Sequence, residues 1–334
     1  MWPMGSQGIR QAPLRSHRTP WCVAMLCALL ALAACTREAA DPPPRASGPG
    51  VAVTRLAEHL RHNELRAFAR DAVPAAHFTA LEAAWRRGDS RWPLTELPLD
   101  EQIEPMLTVL AAPDAARDLK LSFDRNLANQ GRDLREAANT LGSFGLQYVE
   151  REGDYSAEER AHYVQVIGAL SEWARQAPLG DPARAESAIS KLVAAARTSR
   201  LSSDAEMQAA GMEQSLVRLE PFFAASKTVL ASYGLLLDRS LDGLRVDLVE
   251  ERGDTARVRI LYPLAAREVS TVLDLERHGG RWYLADYLRL GEQALQAREA
   301  AERDARAAAE VAARIEAQAE AEPGSAIVPA DQDP

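Results

Sequence analysis

Apolar residues recur at helical spacing over most of the chain, from about residue 53 to residue 239. A period near 3.6 residues predicts amphipathic helices almost throughout this region. A second helix is expected to begin at Pro74 and end near Gly88, and a short third to follow Asp100 and stop at Pro113. The first predicted helix carries its buried stripe at Leu56, Leu60, Ala67 and Phe68.

The next helices are predicted from residues 114–151 and from a capping sequence that follows them. Residues 114–151 predict one or two helices, with glycine as the candidate break at Gly131, Gly142 and Gly145. Residues 156–159, Ser-Ala-Glu-Glu, form a capping box. The helix that it opens has large apolar residues at Tyr163, Ile167, Leu170 and Trp173.

Two more capping sequences complete the helical region. Asp181 followed by Pro182 is typical of a helix N-cap with proline in the first turn. Residues 203–206, Ser-Asp-Ala-Glu, form a second capping box, which is predicted to open one long helix toward Asp238 with a kink at Pro221.

After residue 243 the hydrophobic period changes from about 3.6 to 2, which indicates strands. Four alternating runs, at 244–248, 256–260, 269–275 and 282–284, predict an antiparallel meander with one apolar face. The preceding long helix is the expected partner of that face. The predicted fold class is therefore α+β and predominantly α-helical: a helical region, then a small antiparallel sheet of about four strands, then an exposed C-terminal helix.

The last helix is predicted over residues 291–322, which are mainly Ala, Glu, Arg and Gln. Its large apolar residues are few, so the buried stripe is thin. A solvated spacer and a coiled-coil partner helix are both compatible with this pattern, and the spacer is preferred because heptads place larger residues at their a and d positions.

Composition limits the classes of partner. The chain of 334 residues has 39 Lys and Arg against 48 Asp and Glu, a net charge of −9. An acidic balance argues against a nucleic-acid surface, which needs clustered positive charge.

The first 34 residues have the features of a secretory signal peptide. Basic residues without an acid precede an apolar run from Trp21 to about Leu32, which is too short to span a bilayer. Residues 32–35, Leu-Ala-Ala-Cys, resemble the lipobox of bacterial lipoprotein precursors. The resemblance implies cleavage before Cys35 and acylation of Cys35, and Thr36, which is not Asp, implies the outer membrane with the domain facing the periplasm.

Cysteine usage fits that compartment. Cys22 and Cys27 lie in the predicted signal peptide, so the mature chain would have no free thiol and no disulfide. This excludes a cysteine nucleophile or a cysteine-based metal site in the mature chain, and no cofactor is expected.

The predicted segments follow from these patterns. They are a signal peptide (1–34), a lipidated tether (35–50), a helical domain (51–202), a long helix with the antiparallel sheet (203–290), an Ala/Glu/Arg-rich helix (291–322) and a disordered tail (323–334).

Residues 272–287, Val-Leu-Asp-Leu-Glu-Arg-His-Gly-Gly-Arg-Trp-Tyr-Leu-Ala-Asp-Tyr, resemble the closing strands of the cone-shaped NTF2-like fold. The resemblance covers about residues 244–288 and carries over no catalytic residue. It implies a pocket, the mouth of which would be lined by aromatic residues, or else these residues fill the core. They are Tyr233, Tyr262, Trp282, Tyr283 and Tyr287.

Residues 85–92 form the densest basic and aromatic cluster of the chain. Arginine and tryptophan side chains can hold a phosphate or a sugar, but the same residues fit a helix C-terminus with Gly88 as the cap, which is preferred. The candidate binding residues of the cluster are Trp85, Arg86, Arg87, Arg91 and Trp92.

His59 and His62 are three apart on a predicted helix, a spacing that can place two imidazoles on one face as metal ligands. No third or fourth ligand is identified, so no metal is expected.

Three hypotheses of function remain. The first is a non-enzymatic binding or assembly module, anchored to the membrane by lipid, that contacts envelope proteins or peptidoglycan. The second is a small-molecule-binding domain. The third is a hydrolase with dispersed acidic residues, since no nucleophile or phosphate-loop motif occurs but carboxylate pairs need not be close in sequence.

Overall fold

The computed structural model describes residues 48–97, 100–151 and 155–321. The predicted signal peptide, the lipobox, most of the tether and the predicted C-terminal tail lie outside these residues. Within the described part of the chain, no helix is both long enough and apolar enough to cross a bilayer.

Helices dominate the fold. Two 3₁₀ turns, Leu94–Glu96 and Asp100–Gln102, lie between the third and fourth α-helices. The α-helices are α1 (Pro49–Arg61), α2 (Leu65–Ala72), α3 (Ala75–Arg87), α4 (Ile103–Ala111), α5 (Ala115–Asn126), α6 (Gly131–Arg151), α7 (Ala157–Gln176), α8 (Pro182–Ser199), α9 (Asp204–Ala210), α10 (Met212–Ser232), α11 (Leu237–Asp242) and α12 (Ala285–Ala321).

A four-stranded antiparallel sheet follows α11 in the order β1-β2-β3-β4. The strands are β1 (Arg245–Arg252), β2 (Thr255–Leu264), β3 (Arg267–His278) and β4 (Arg281–Leu284). Alternate residues of β2 and β3 are buried, which is the pattern of a sheet with one covered face. The predicted class, α+β and predominantly helical, is confirmed.

The helix caps predicted at Ser156, Asp181 and Gly88 are confirmed. Ser156 Oγ accepts from the Glu159 N–H at 3.2 Å, and the Glu159 carboxylate accepts from the Ser156 N–H at 2.8 Å. Asp181 caps α8, and Gly88 ends α3 with a left-handed φ of 87°. These bonds satisfy backbone groups that a helix end leaves without a partner.

Two predicted helices are broken, and those predictions are wrong. The first stripe spans α1 and α2, because Asn63 takes a left-handed φ of 62° between them. The long helix after Ser203 is interrupted at Gly211, with a φ of 80°, and α10 ends at Ser232 rather than near Asp238. This left-handed φ favours glycine, and a Cβ atom there would also displace the ends of the Glu82 and Arg86 side chains.

The prediction that the long helix covers the apolar face of the sheet is wrong, because α10 makes little contact with the strands. The sheet instead packs on α1, α7, α11 and α12. The reason is the break at residues 233–236, after which α11 turns back onto β2.

The C-terminal helix begins at Ala285, six residues earlier than predicted. Its first turns are packed: Tyr287 is fully buried, and a Cβ atom on Gly291 would lie 2.6 Å from the His77 side chain of α3. Residues 301–317 are all exposed. Buried residues from Val53 to Ala294 join one hydrophobic cluster, so the sheet and the helices share a core.

Candidate ligand-binding site

The arginines of the 85–92 cluster are all occupied by partners within the chain. Arg86 pairs with Glu82 at 2.8 Å, Arg87 with Asp89 at 2.7 Å, and Arg91 with Asp204 at 2.5 Å while it lies over the Trp85 ring. Nothing in this geometry leaves a guanidinium of the cluster unpaired for an anion.

The tryptophans of the same cluster are core residues. Trp85 is fully buried and donates from Nε1 to the Met207 carbonyl at 2.8 Å. Trp92 is 2% exposed and packs edge-on against Tyr287, with ring centroids 5.5 Å apart.

The five aromatic residues predicted for a pocket mouth are dispersed. Tyr262, Trp282, Tyr283 and Tyr287 are buried, and Tyr233 lies half-buried at the end of α10. None of the five lines the apolar cavity described below. Tyr262 nevertheless packs beside it, with its ring centroid 6.3 Å from that of His162.

The His59 ring lies between two carboxylates, those of Glu64 and Asp71. Its Nδ1 atom lies 2.8 Å from Glu64 and its Nε2 atom 3.0 Å from Asp71. Burial acts to lower the pKa of His59, but the hydrogen bonds and charges of Asp71 and Glu64 outweigh it and raise that pKa above its ordinary value. No group of three or more metal-ligating side chains occurs among the described residues.

An apolar cavity of about 450 Å³ lies between α7 and α10 and is lined on its other sides by the first 3₁₀ turn, α4, the segment that leads into α11, and the end of β2. Fourteen of its eighteen lining residues are aliphatic, methionine or phenylalanine. Examples from four different elements are Leu94, Met106, Val166 and Leu219. Well-packed interiors contain few voids larger than a water molecule, whereas small-molecule sites measure about 300–1,000 Å³.

Helix α7 places a fully buried histidine at the wall of this cavity. The capping box at its first turn fixes the start of the helix, and Glu159, His162, Val166 and Ala169 form its most buried stripe. The Nδ1 atom of His162 lies 3.3 Å from the Ser270 carbonyl oxygen, and its Nε2 atom has no hydrogen-bond partner among the described residues. Burial lowers the pKa of His162, and the bond to Ser270 offsets only part of that effect.

Three further polar side chains line the same cavity. Tyr163 follows His162, and its buried hydroxyl has no hydrogen-bond partner among the described residues. Ser226 donates to the Phe222 carbonyl at 2.9 Å within α10. Lys227 is 5% exposed.

The ammonium group of Lys227 donates to three oxygen atoms of the chain. Its ammonium group donates to Leu60 O at 3.1 Å, to Arg61 O at 3.0 Å and to Asp238 Oδ1 at 2.6 Å. The two carbonyls end α1, where a positive charge is favourable. Burial lowers the pKa of Lys227, while Asp238 acts in the opposite direction.

Glu96 is a candidate acid for the carboxylate-pair hypothesis. Glu96 is 4% exposed, and burial, followed by the charge of Asp100, raises its pKa to about 8. Its neighbours Leu94 and Leu97 line the apolar cavity, but Glu96 itself does not. Glu96 therefore does not face that cavity, and none of the described lining residues is a carboxylate.

Sequence reasoning missed the cavity and its polar residues. The predicted stripe of α7 contained Tyr163 and Leu170, which do line the cavity, but not His162 one position before. A histidine and a lysine within apolar helix faces were the available signals, at His162 and Lys227. No family model, no curated protein and no solved structure matches the chain.

Proposed function

We propose that this protein binds an apolar small molecule in the cavity between α7 and α10, as a lipid-anchored protein of the bacterial envelope. The cavity is the observation that supports this proposal, because its volume and its mainly apolar lining match those of small-molecule sites. The anchor is supported by the sequence alone, through the lipobox at Cys35. No catalytic role is proposed.

Filling the cavity tests the binding function. Met106 is 40% exposed and lines the cavity, so Met106→Trp narrows it from the solvent side with little strain. Val166→Phe adds volume at the buried wall. Leu141→Trp is the matched control, because Leu141 is 70% exposed on α6 and is not a lining residue of the cavity.

Binding is measured with N-phenyl-1-naphthylamine, the fluorescence of which rises in apolar surroundings. We expect both filling variants to weaken probe binding about tenfold or more and the control to leave it unchanged, with thermal melting as the check of folding. Equal probe binding by all four proteins contradicts the proposal. Native mass spectrometry of the full chain, purified in mild detergent from its own envelope, then identifies any molecule that co-purifies.

A second candidate function is the assembly module predicted from the sequence. Its support is the second half of α12, where residues 301–317 are exposed and Val311 and Ile315 present apolar side chains to solvent. A photo-cross-linker at position 311 in cells is expected to capture an envelope protein. The same cross-linker at Leu248, an exposed residue of β1, is the control.

A further inference from the structure

The described side chains of the cavity wall offer a ligand no free hydrogen-bond donor. The Nε2 atom of His162 and the Oη atom of Tyr163 have almost no accessible surface. Ser226 donates to the Phe222 carbonyl, and Lys227 donates to three oxygen atoms of the chain. An oxygen-bearing headgroup inside the cavity would therefore lose bonds to water that no lining donor replaces, so the enclosed part of a ligand has to be hydrocarbon.

The cavity wall reaches solvent at α4. Met106 is 40% exposed, whereas the other described lining residues are buried or half-buried. A polar headgroup that stays in water therefore belongs beside Met106, and the apolar remainder of the ligand extends toward buried lining residues such as Val166 and Leu219. A molecule of this kind is an amphiphile with its polar group at one end.

The volume of the cavity limits how much hydrocarbon it can enclose. A water molecule occupies about 30 Å³ in the liquid and a methylene group slightly less, so a cavity of about 450 Å³ matches a chain of about fifteen carbons. This is the length of one acyl chain, and a lipid that placed two such chains inside would need twice the space.

From these observations we propose that the ligand is a single-chain amphiphile, whose alkyl chain fills the cavity and whose headgroup remains in water beside Met106. This inference rests on the proposed binding function and names its class of ligand. The protein selects the chain by length, because each buried methylene group adds affinity until the cavity is full. A free fatty acid and a lysolipid both present such a chain, and the mass of the molecule that co-purifies distinguishes them.

A series of linear fatty acids from octanoate to octadecanoate tests the selection by length. Each is used at pH 8, below its aggregation concentration, to displace N-phenyl-1-naphthylamine from the full-length protein. We expect the affinity to rise about fourfold for each added methylene group and to stop rising near about fifteen carbons. An affinity that is independent of length, or that still rises at octadecanoate, contradicts the enclosure of the chain.

Two substitutions at Val166 should move this limit in opposite directions. Val166→Phe takes up the volume of about two methylene groups and should shorten the limit by about two carbons, and Val166→Ala should lengthen it by about as much. Val109→Phe is the matched control, because Val109 is 51% exposed on α4 and is not a lining residue. An unchanged limit in the Val166 variants contradicts the proposal, and if one variant does not fold, the other decides.

Exchange of the headgroup tests where the polar end lies. Dodecanoate, 1-dodecanol and dodecyltrimethylammonium have equal chains and different charges, and added salt screens the acidic side chains of Glu101 and Glu104, which precede Met106 in sequence. We expect the three to displace the probe at concentrations within about threefold of one another, because a headgroup that stays in water contributes little to binding.

The outcomes separate the two proposals. If the fluorescent probe does not bind at all, the cavity function fails and the class of ligand fails with it. If the probe binds but the fatty acids show no length limit, or the headgroup changes the affinity about tenfold or more, the cavity function stands and the single-chain amphiphile is wrong.

Discussion

Lys227 Nζ lies 2.6 Å from Asp238 Oδ1, yet the lysine is 5% exposed and the aspartate side chain 48%. The two members of this pair therefore depend on each other unequally. Without its partner, Asp238 returns to water, whereas Lys227 would remain a buried charge with two backbone carbonyls and the face of the Phe223 ring as its remaining neighbours.

This asymmetry predicts unequal costs for the two substitutions. We expect Asp238→Ala to lower the free energy of unfolding by about 1–3 kcal/mol, because it leaves a buried ammonium group uncompensated. Lys227→Met is expected to cost about 1 kcal/mol or less, because its apolar chain fits the cavity wall. Denaturant unfolding measures both, and a larger loss for Lys227→Met contradicts the argument.

His59 makes part of the stability dependent on pH. Its pKa in the folded state is raised, so its charge-assisted bonds to Asp71 and Glu64 stabilise the fold fully below pH 6.5, the ordinary value. This stabilisation is lost as the pH rises through the folded-state pKa.

The comparison of wild type with His59→Gln isolates this effect. We expect the variant to be less stable by about 1 kcal/mol at pH 5.5 and the difference to shrink toward pH 8. His62→Gln, at the exposed histidine of the same segment, is the control. A difference that grows with pH would show that the sign is wrong.

Two glycines of α6 should respond in opposite ways to the same substitution. A Cβ atom on Gly142 would overlap the Ser171 hydroxyl and lie 2.9 Å from Ser171 Cβ, whereas one on Gly145 would lie 3.5 Å from Ile167, an ordinary contact. We expect Gly142→Ala to cost about 1–3 kcal/mol through overpacking. Gly145→Ala should gain up to about 1 kcal/mol from helix propensity, and thermal melting of the two variants measures the difference.

The lipid anchor is predicted from the sequence and is tested directly. Cys35→Ser removes the thiol that the lipobox resemblance assigns to acylation, so the variant should lose its acyl mass and its membrane fraction. Thr36→Ser is the control that leaves the cysteine in place. Full membrane partition of Cys35→Ser with the acyl mass retained contradicts the lipobox.

Sequence reasoning predicted features that depend on near neighbours. The capping box at Ser156 and Glu159 and the glycine cap of α3 are set within one turn of helix, so they were found. The break at Gly211 was missed because the capping box before it signals only a start.

The cavity could not be predicted from such local sequence patterns. Its walls come from positions as distant as Leu65 and Leu264, and periodicity within one helix does not report which helices leave space between them. The buried state of His162 depends on β3, more than a hundred residues away in sequence.

Gln165 of α7 covers part of the edge of β3 that β4 leaves unpaired. Strand β4 pairs only with residues 275–278 of β3, and at Ser270 the Gln165 amide takes the place of a neighbouring peptide, accepting from the N–H at 3.0 Å and donating to the carbonyl at 3.3 Å. An incoming strand from a second molecule would have to displace this side chain before it could pair there. The same carbonyl accepts from His162 Nδ1 at 3.3 Å, so two side chains of α7 occupy the backbone groups that an added strand would need at this part of the edge.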